Sequence, residues 1–290
     1  MSMKKKLTKS LATIGGVAAY LYTQNRWIEK TEYVISLENL DSQNEGIKIA
    51  HLSDIHMPNQ DINLEKLLEI IKDEQPDFIF MTGDQVDAAY PFDVKETTAF
   101  FKQLTKIAPV YAVNGNHDIH SPNIDQLPEV YEESGVTLLV DDVYSVLLPG
   151  RRPLVIMGLA EPTTLLQKQL SDPMKPIIIR DDWQEQTRLL LAHRPERFEK
   201  YHQDSANEPD LTFSGHAHGG QIRIPKIGGL FSPGQGKMPK HTAGVFVLAS
   251  DQTKKMVISR GLGPSQFPLR INNRPELVMV TLKKPSQDKI

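Results

Sequence analysis

Apolar runs of strand length alternate with stretches in which apolar residues recur every three or four positions. In the first half, the apolar runs predict buried strands at 47–54, 78–81 and 109–113. The stretches between these strands predict two amphipathic helices. The first begins after a capping Asn63, and the second begins at a capping box formed by Asp93 and Glu96. This half therefore has a βαβα pattern.

The second half contains shorter apolar runs with turn residues between them. These runs predict strands at 136–140, 144–148, 154–159, 187–192, 211–214, 245–249, 255–259 and 277–282. Asp141-Asp142 and Pro149-Gly150 separate the first three of them and predict hairpin turns. Together, βαβ units and meanders indicate an α/β fold in which two mixed β-sheets pack face to face, flanked by helices.

Residues 1–30 have a different pattern. Lysines at positions 4, 5, 6 and 9 precede an apolar stretch at 11–22, and three aromatic residues of this region are suited to a membrane interface: Tyr20, Tyr22 and Trp27. We predict an uncleaved signal anchor that crosses the cell membrane once and leaves the domain 31–290 on the extracytoplasmic side, because the lysines favour a cytoplasmic N-terminus. The apolar stretch is shorter than the ~20 residues that span a bilayer, so a leader on a cytoplasmic protein is the alternative.

Composition excludes several classes of site. The 290 residues carry a net charge of −3, and this absence of a basic field disfavours nucleic-acid binding. The chain has no cysteine, which excludes disulfides, zinc–thiolate sites and thiol nucleophiles. With 39% hydrophobic and 24% charged residues the composition is that of a globular protein. The sequence gives no information about the oligomeric state.

Polar motifs follow the predicted strands, and the ligands that they can supply include two carboxylates, a carboxamide and at least four imidazoles. The motifs are Asp54-Ile55-His56, Gly83-Asp84, Gly115-Asn116-His117-Asp118, His193 and Gly215-His216-Ala217-His218. Such a set is sufficient to hold two divalent cations side by side. Residues i and i+2 of an extended chain point to the same side, so each Asp-x-His or His-x-His pair is predicted to converge on the ions. Gly83 and Gly115 would let the backbone turn sharply close to an ion.

The order of these motifs resembles that of the calcineurin-like metallophosphoesterase superfamily, from about residue 47 to the C-terminus. The segments Gly219-Gly220-Gln221, Arg260-Gly261-Leu262-Gly263 and Pro268-Leu269-Arg270 are similar to a bacterial branch that is often membrane-associated or exported. The resemblance implies a four-layer αββα sandwich. Ala217 stands where the family often has threonine, but its side chain is expected to point away from the ions.

Residue roles follow from the resemblance. It implies one metal held by Asp54, His56, Asp84 and His218, and a second held by Asp84, Asn116, His193 and His216. His117 would be the catalytic histidine, and Asp118 would orient it. Substrate contacts are expected, on weaker grounds, from Gly219, Gln221, Arg260 and Arg270, because an arginine fork suits phosphate oxygens.

The predicted function is hydrolysis of a phosphomonoester, phosphodiester or pyrophosphate bond in a small or lipid-linked substrate. Two divalent ions, with Mn²⁺ favoured and Fe²⁺, Zn²⁺ or Co²⁺ as alternatives, would generate a bridging hydroxide that attacks phosphorus. Two other functions remain open. One is a catalytically inactive scaffold with this fold, although such a chain would be expected to have lost ligands. The other is a nuclease, although the chain lacks a basic stripe.

Overall fold

A computed structural model describes residues 3–164, 167, 172–204, 206–265, 267 and 269–285, with side chains described from residue 10 onward. Pro268 of the predicted motif and residues 286–290 of the C-terminal tail lie outside the described residues. The α-helices are α1 Met3–Arg26, α2 Leu64–Glu74, α3 Val94–Thr105 and α4 Leu127–Ser134. The strands are β1 Glu29–Ser36, β2 Lys48–Leu52, β3 Phe78–Thr82, β4 Val110–Val113, β5 Thr137–Leu138, β6 Asp142–Val146, β7 Leu154–Gly158, β8 Arg188–Leu191, β9 Leu211–Ser214, β10 Arg223–Ile224, β11 Gly228–Gly229, β12 Phe231–Ser232, β13 Gly236–Lys237, β14 Gly244–Val247, β15 Lys255–Ile258 and β16 Glu276–Lys283.

Two six-stranded sheets form the centre of the fold. The first has the order β1-β16-β2-β3-β4-β5, and only its β16–β2 pair is antiparallel. The second has the order β14-β15-β9-β8-β7-β6, with antiparallel pairs at its two edges. Parallel strands joined through helices place several strand ends at one edge of each sheet, which is where ligand sites form in such folds.

Three hydrophobic layers hold the sheets and helices together. Phe78, Phe80 and Phe213 belong to the core between the two sheets. The outer face of the first sheet packs against α2, α3 and α4. The outer face of the second sheet is covered by the 172–179 segment and the 3₁₀ helix Pro195–His202. The predicted sandwich of two mixed sheets with helices outside is confirmed.

The predicted helix starts also agree with the structure. Asn63 accepts a hydrogen bond from the backbone N–H of Lys66, and Asp93 accepts one from Glu96, so each side chain satisfies a free donor of the first turn. The hairpin predicted at Asp141-Asp142 is wrong, because β5 pairs with β4 while β6 pairs with β7. The chain therefore crosses from one sheet to the other at this point.

The N-terminal segment forms α1, but the membrane anchor predicted there is wrong. Although α1 is 24 residues long, neither it nor any other described helix has a stretch sufficiently long and apolar to span a bilayer. The physical reason is that lysines, threonines and glycines interrupt the apolar residues of this helix. The single-pass and extracytoplasmic assignment, which depended on that anchor, is therefore wrong as well. The C-terminal part of α1 contacts the body of the protein, where Gln24 accepts from the backbone N–H of Asn273.

Candidate metal centre

The predicted ligands lie on tight turns just beyond the strands, not on extended backbone. β2 ends at Leu52 and β9 ends at Ser214, before the first ligand of each pair. Five ligands have left-handed backbone conformations, with φ between 45° and 65°: Asp54, His56, Asp84, His216 and His218. A non-glycine residue rarely adopts this conformation, and clusters of such residues mark functional sites. The expectation that these pairs converge because the chain is extended is therefore wrong, although the pairs do converge.

The first group of ligand atoms surrounds His218. Its Nε2 lies 3.3 Å from Asp54 Oδ1 and 3.3 Å from His56 Nε2. His56 Nε2 lies 3.8 Å from Asp84 Oδ2. All four side chains are buried, and their ligand atoms lie within 4.8 Å of one another. The structure thus brings together the four residues predicted for one ion.

The second group surrounds His193 and shares Asp84 with the first. His193 Nε2 lies 3.3 Å from Asp84 Oδ2, 3.0 Å from His216 Nδ1 and 3.2 Å from Asn116 Oδ1. The Nδ1 of His193 contacts the carbonyl of Thr82 at 2.7 Å, so the proton of the neutral ring is on Nδ1 and Nε2 is the nitrogen that can bind a cation. Asp84 Oδ2 therefore faces both groups.

Backbone contacts hold the two ligand loops against each other. Asp118 is fully buried, and its carboxylate accepts hydrogen bonds from the backbone N–H groups of Asp84, Gly115 and Val86 at 2.7 to 2.9 Å. A Cβ at Gly115 would collide with Asp84 and with the His193 ring, so glycine is required by the close approach of these loops. Asp118 thus anchors the loops that carry the ligands. None of these three contacts involves the His117 ring, so the role of Asp118 in orienting His117 stays a prediction.

His117 lies beside the first group and has a defined tautomer. The backbone N–H of Ala88 donates to His117 Nδ1 at 3.2 Å, so the ring proton of the neutral form is on Nε2. Asp87 Oδ2 lies 4.0 Å from His117 Nδ1 and 3.4 Å from His56 Nδ1. Sequence reasoning missed Asp87, although its position three residues after Asp84 in the same loop was a usable signal. Asp87 is therefore positioned to orient His56, while its charge lies near the His117 ring.

The neighbouring imidazoles keep the Asp84 carboxylate ionised although it is buried. Burial by itself raises the pKa of Asp84, but the adjacent His193 imidazole outweighs burial and keeps that pKa well below its usual range. Burial lowers the pKa of His193, but Asp84 outweighs it and raises the value to about 10. Burial, together with His193, lowers the pKa of His216. Asp84 is therefore an ionised carboxylate at the centre of imidazoles, as a bridging ligand must be.

These residues fit divalent metals. His56 Nε2 and His218 Nε2 face each other at 3.3 Å, and two neutral nitrogens that both present lone pairs repel at such a distance. A cation between them would convert that repulsion into coordination. Nitrogen and oxygen ligands with no thiolate suit Mn²⁺, Fe²⁺, Zn²⁺ or Co²⁺. Ala217 is buried in an apolar cluster with Phe198 and Met256, so its difference from threonine does not affect the ligands.

The predicted substrate residues lie close to the centre, and most of their polar groups are already engaged. Gly219 and Gln221 follow His218 directly in a buried turn, and the carbonyls of His218 and Gln221 accept from Asn273. Arg260 forms ion pairs with Glu276 at 3.0 Å and Glu29 at 3.4 Å. Arg270 is buried and donates to the carbonyls of three residues: Arg260, Gly263 and Asn273. A substrate role for these residues stays a prediction.

Comparisons with known proteins show what this chain is similar to. A family model described as calcineurin-like phosphoesterase matches residues 47–220. The chain is 28% identical to the uncharacterized metallophosphoesterase YkuE of Bacillus subtilis, over 96% of this chain and 93% of that protein. It is 27% identical to the phosphodiesterase YaeI of Escherichia coli, over 94% and 95% of the two chains. Among solved structures, TT1561 of Thermus thermophilus aligns over 75% of this chain and 90% of its own, with 12% identity and a TM-score of 0.46.

Proposed function

The chain belongs to the calcineurin-like phosphoesterase family, and from this premise we propose that it hydrolyses phosphate esters with two divalent metal ions. Asp54, His56, Asp84 and His218 would hold one ion, and Asp84, Asn116, His193 and His216 would hold the other. The observation that carries the proposal is the position of Asp84 Oδ2, which lies 3.3 Å from His193 Nε2 and 3.8 Å from His56 Nε2. One carboxylate oxygen between two imidazole groups is the arrangement that a bridged pair of cations requires.

The metals and the side chains have separate tasks. When bound, two such ions supply an activated water and Lewis acidity toward phosphoryl oxygens. Asp84 remains anionic and holds the two ligand groups at a fixed separation. His117, whose side chain is 24% exposed, carries the proton of its neutral ring on Nε2 and would donate it to a phosphoryl or leaving-group oxygen. The charge of Asp87 would stabilise the protonated form of His117, and its carboxylate would orient His56.

We favour a phosphodiester as the substrate, because the relative YaeI is named a phosphodiesterase. A monoester and a pyrophosphate are the other substrates to test. We assign the catalytic domain to residues 31–290. We also assign the chain to the bacterial branch that shares its Gly-His-x-His-Gly-Gly-Gln motif, since the turn at Gly219 and Gln221 directly continues the ligand loop. Mn²⁺ is the metal we favour.

A metal-restoration assay tests the proposal. Chelator-treated protein would be supplied separately with Mn²⁺, Fe²⁺, Zn²⁺ and Co²⁺, and offered aryl phosphodiester, phosphomonoester and pyrophosphate substrates. We expect hydrolysis only after a metal is restored. Asp84→Asn should lower kcat/KM by more than about 100-fold, because even outer partners of a metal ligand change activity by roughly 10- to 100-fold. Asp73→Asn, an exposed change on α2, is the matched control. Restored and stripped protein with equal activity on every ester would overturn the proposal.

A further inference from the structure

Arg194 lies between the second ligand group and two glutamates. It follows His193 directly, and its Nη1 contacts His216 Nε2 at 3.3 Å. The same nitrogen lies 3.3 Å from Glu196 Oε1, while Nε and Nη2 of the guanidinium bind Glu161 Oε1 at 2.7 and 2.5 Å. The side chains of Arg194 and Glu161 are 16% and 2% exposed, so these ion pairs are largely shielded from water. Arg194 is thus shared between His216 and two carboxylates.

The contact between Arg194 and His216 fits only the form of His216 that cannot bind a metal. A guanidinium always donates, so His216 Nε2 must accept, and the proton of the neutral ring is then on Nδ1. Nδ1 is the nitrogen that faces His193 Nε2 at 3.0 Å, on the side of the proposed ion. A metal at Nδ1 needs the lone pair of that nitrogen. The proton of the neutral ring must then be on Nε2. That nitrogen can no longer accept from Arg194, because its own N–H points toward the N–H of Arg194.

We propose that Glu196 is the positioning residue that accepts the Nε2–H of His216 in the metal-loaded chain, while Arg194 turns wholly toward Glu161. This inference rests on the proposed metal centre. His216 loses a proton from Nδ1 and gains one on Nε2, so the ring stays neutral. A metal-bound imidazole commonly donates its other N–H to a carboxylate, which fixes the ring and raises its basicity as a ligand.

Two observations place Glu196 in reach of His216. The point where a Cβ on Gly234 would stand is 2.6 Å from Glu196 Oε1 and 3.5 Å from His216 Nε2, so both atoms border the same small space. In addition, Glu196 Oε2 is buried and has no hydrogen-bond partner among the described residues. A buried carboxylate oxygen without a donor is costly, and a donor on His216 Nε2 would satisfy it.

The test is a Mn²⁺ titration of chelator-stripped protein, comparing Glu196→Met with Glu199→Met. Glu199 lies on the same 3₁₀ helix but forms an exposed ion pair with Lys240, so it is a matched control. We expect Glu196→Met to weaken one of two Mn²⁺ binding steps by about 10- to 100-fold and to leave the other step unchanged. Glu196→Gln, which keeps a neutral acceptor, should recover part of the loss, and it carries the test if the methionine variant does not fold.

A second readout follows the imidazole proton itself. In Zn²⁺-loaded protein labelled with ¹⁵N-histidine, we expect the proton of His216 on Nε2, whereas the stripped protein should carry it on Nδ1. Equal Mn²⁺ affinities for the Glu196 and Glu199 variants, or an unprotonated Nε2 in the loaded chain, would overturn this inference alone. A wild-type chain that binds fewer than two Mn²⁺ would overturn the proposed function and this inference together.

Discussion

Replacing Arg270 by methionine separates a structural role of this residue from the substrate role that the sequence predicts. Its guanidinium is buried and donates to three backbone carbonyls, which joins the 260–263 segment to the 270–273 segment. Hydrogen bonds from a charged group contribute ~1.5 to 3 kcal/mol each. Against this, burial lowers the pKa of Arg270 to about 10, and a shift of that size corresponds to a cost of roughly 3 kcal/mol for the charged form. The balance predicts that Arg270→Met lowers the free energy of unfolding by about 1.5 to 6 kcal/mol.

The assay is urea unfolding of chelator-stripped protein, so that metal binding does not contribute to stability. Arg180→Met is the control, because Arg180 is 65% exposed and its surface ion pair with Asp182 is worth at most ~1 kcal/mol. Kinetics on an aryl phosphodiester complete the comparison. If Arg270→Met is as stable as Arg180→Met while its KM rises, Arg270 binds substrate and the structural explanation is wrong.

Three further changes test other parts of the structure. Asp87→Asn should lower kcat by about 10- to 100-fold, because Asp87 orients the predicted ligand His56 and its charge stabilises protonated His117, and unchanged kcat in metal-saturated protein would exclude that role. Gly115→Ala should abolish tight Mn²⁺ binding, since the added Cβ collides with Asp84, and a titration equal to wild type would contradict this. Burial lowers the pKa of His202 from its ordinary value of 6.5 to about 4. Between these two values the folded chain binds fewer protons than the unfolded chain, so the folded state loses stability as the pH falls from 6.5 to 4. His202→Phe should reduce that loss by roughly 1 to 3 kcal/mol in urea unfolding at about pH 7 and pH 4.5, and an equal loss in both proteins would refute the assignment.

The sequence predicted those elements whose signal is local. Apolar runs located most of the central strands, and the capping residues Asn63 and Asp93 located the starts of α2 and α3. It did not predict β1, because the first half of Glu29–Ser36 is polar and its apolar run, 33–35, is short, on an edge strand that is partly exposed. The sheet crossing near Asp141 was also missed, since turn residues do not specify which sheet the next strand joins.

The site shows the same division between local and distant information. Motif order predicted residues that the structure brings together around Asp84, since each motif follows a strand end. The left-handed turns at Asp54 and His216 were not predictable, because neither residue type requires a positive φ. The link from Arg194 to Glu161 depends on where two loops of the second sheet meet, which no sequence spacing indicates.

The central claim is that Asp84 bridges two cations, and electron paramagnetic resonance of the Mn²⁺-loaded chain tests it most directly. Two Mn²⁺ ions that share a carboxylate at roughly 3.5 to 4 Å are expected to be exchange-coupled, and their spectrum differs from that of isolated Mn²⁺. We predict a coupled spectrum at two ions per chain, which Asp84→Asn abolishes. A spectrum of uncoupled Mn²⁺ at saturating metal, or a limit of one ion per chain, would contradict the claim.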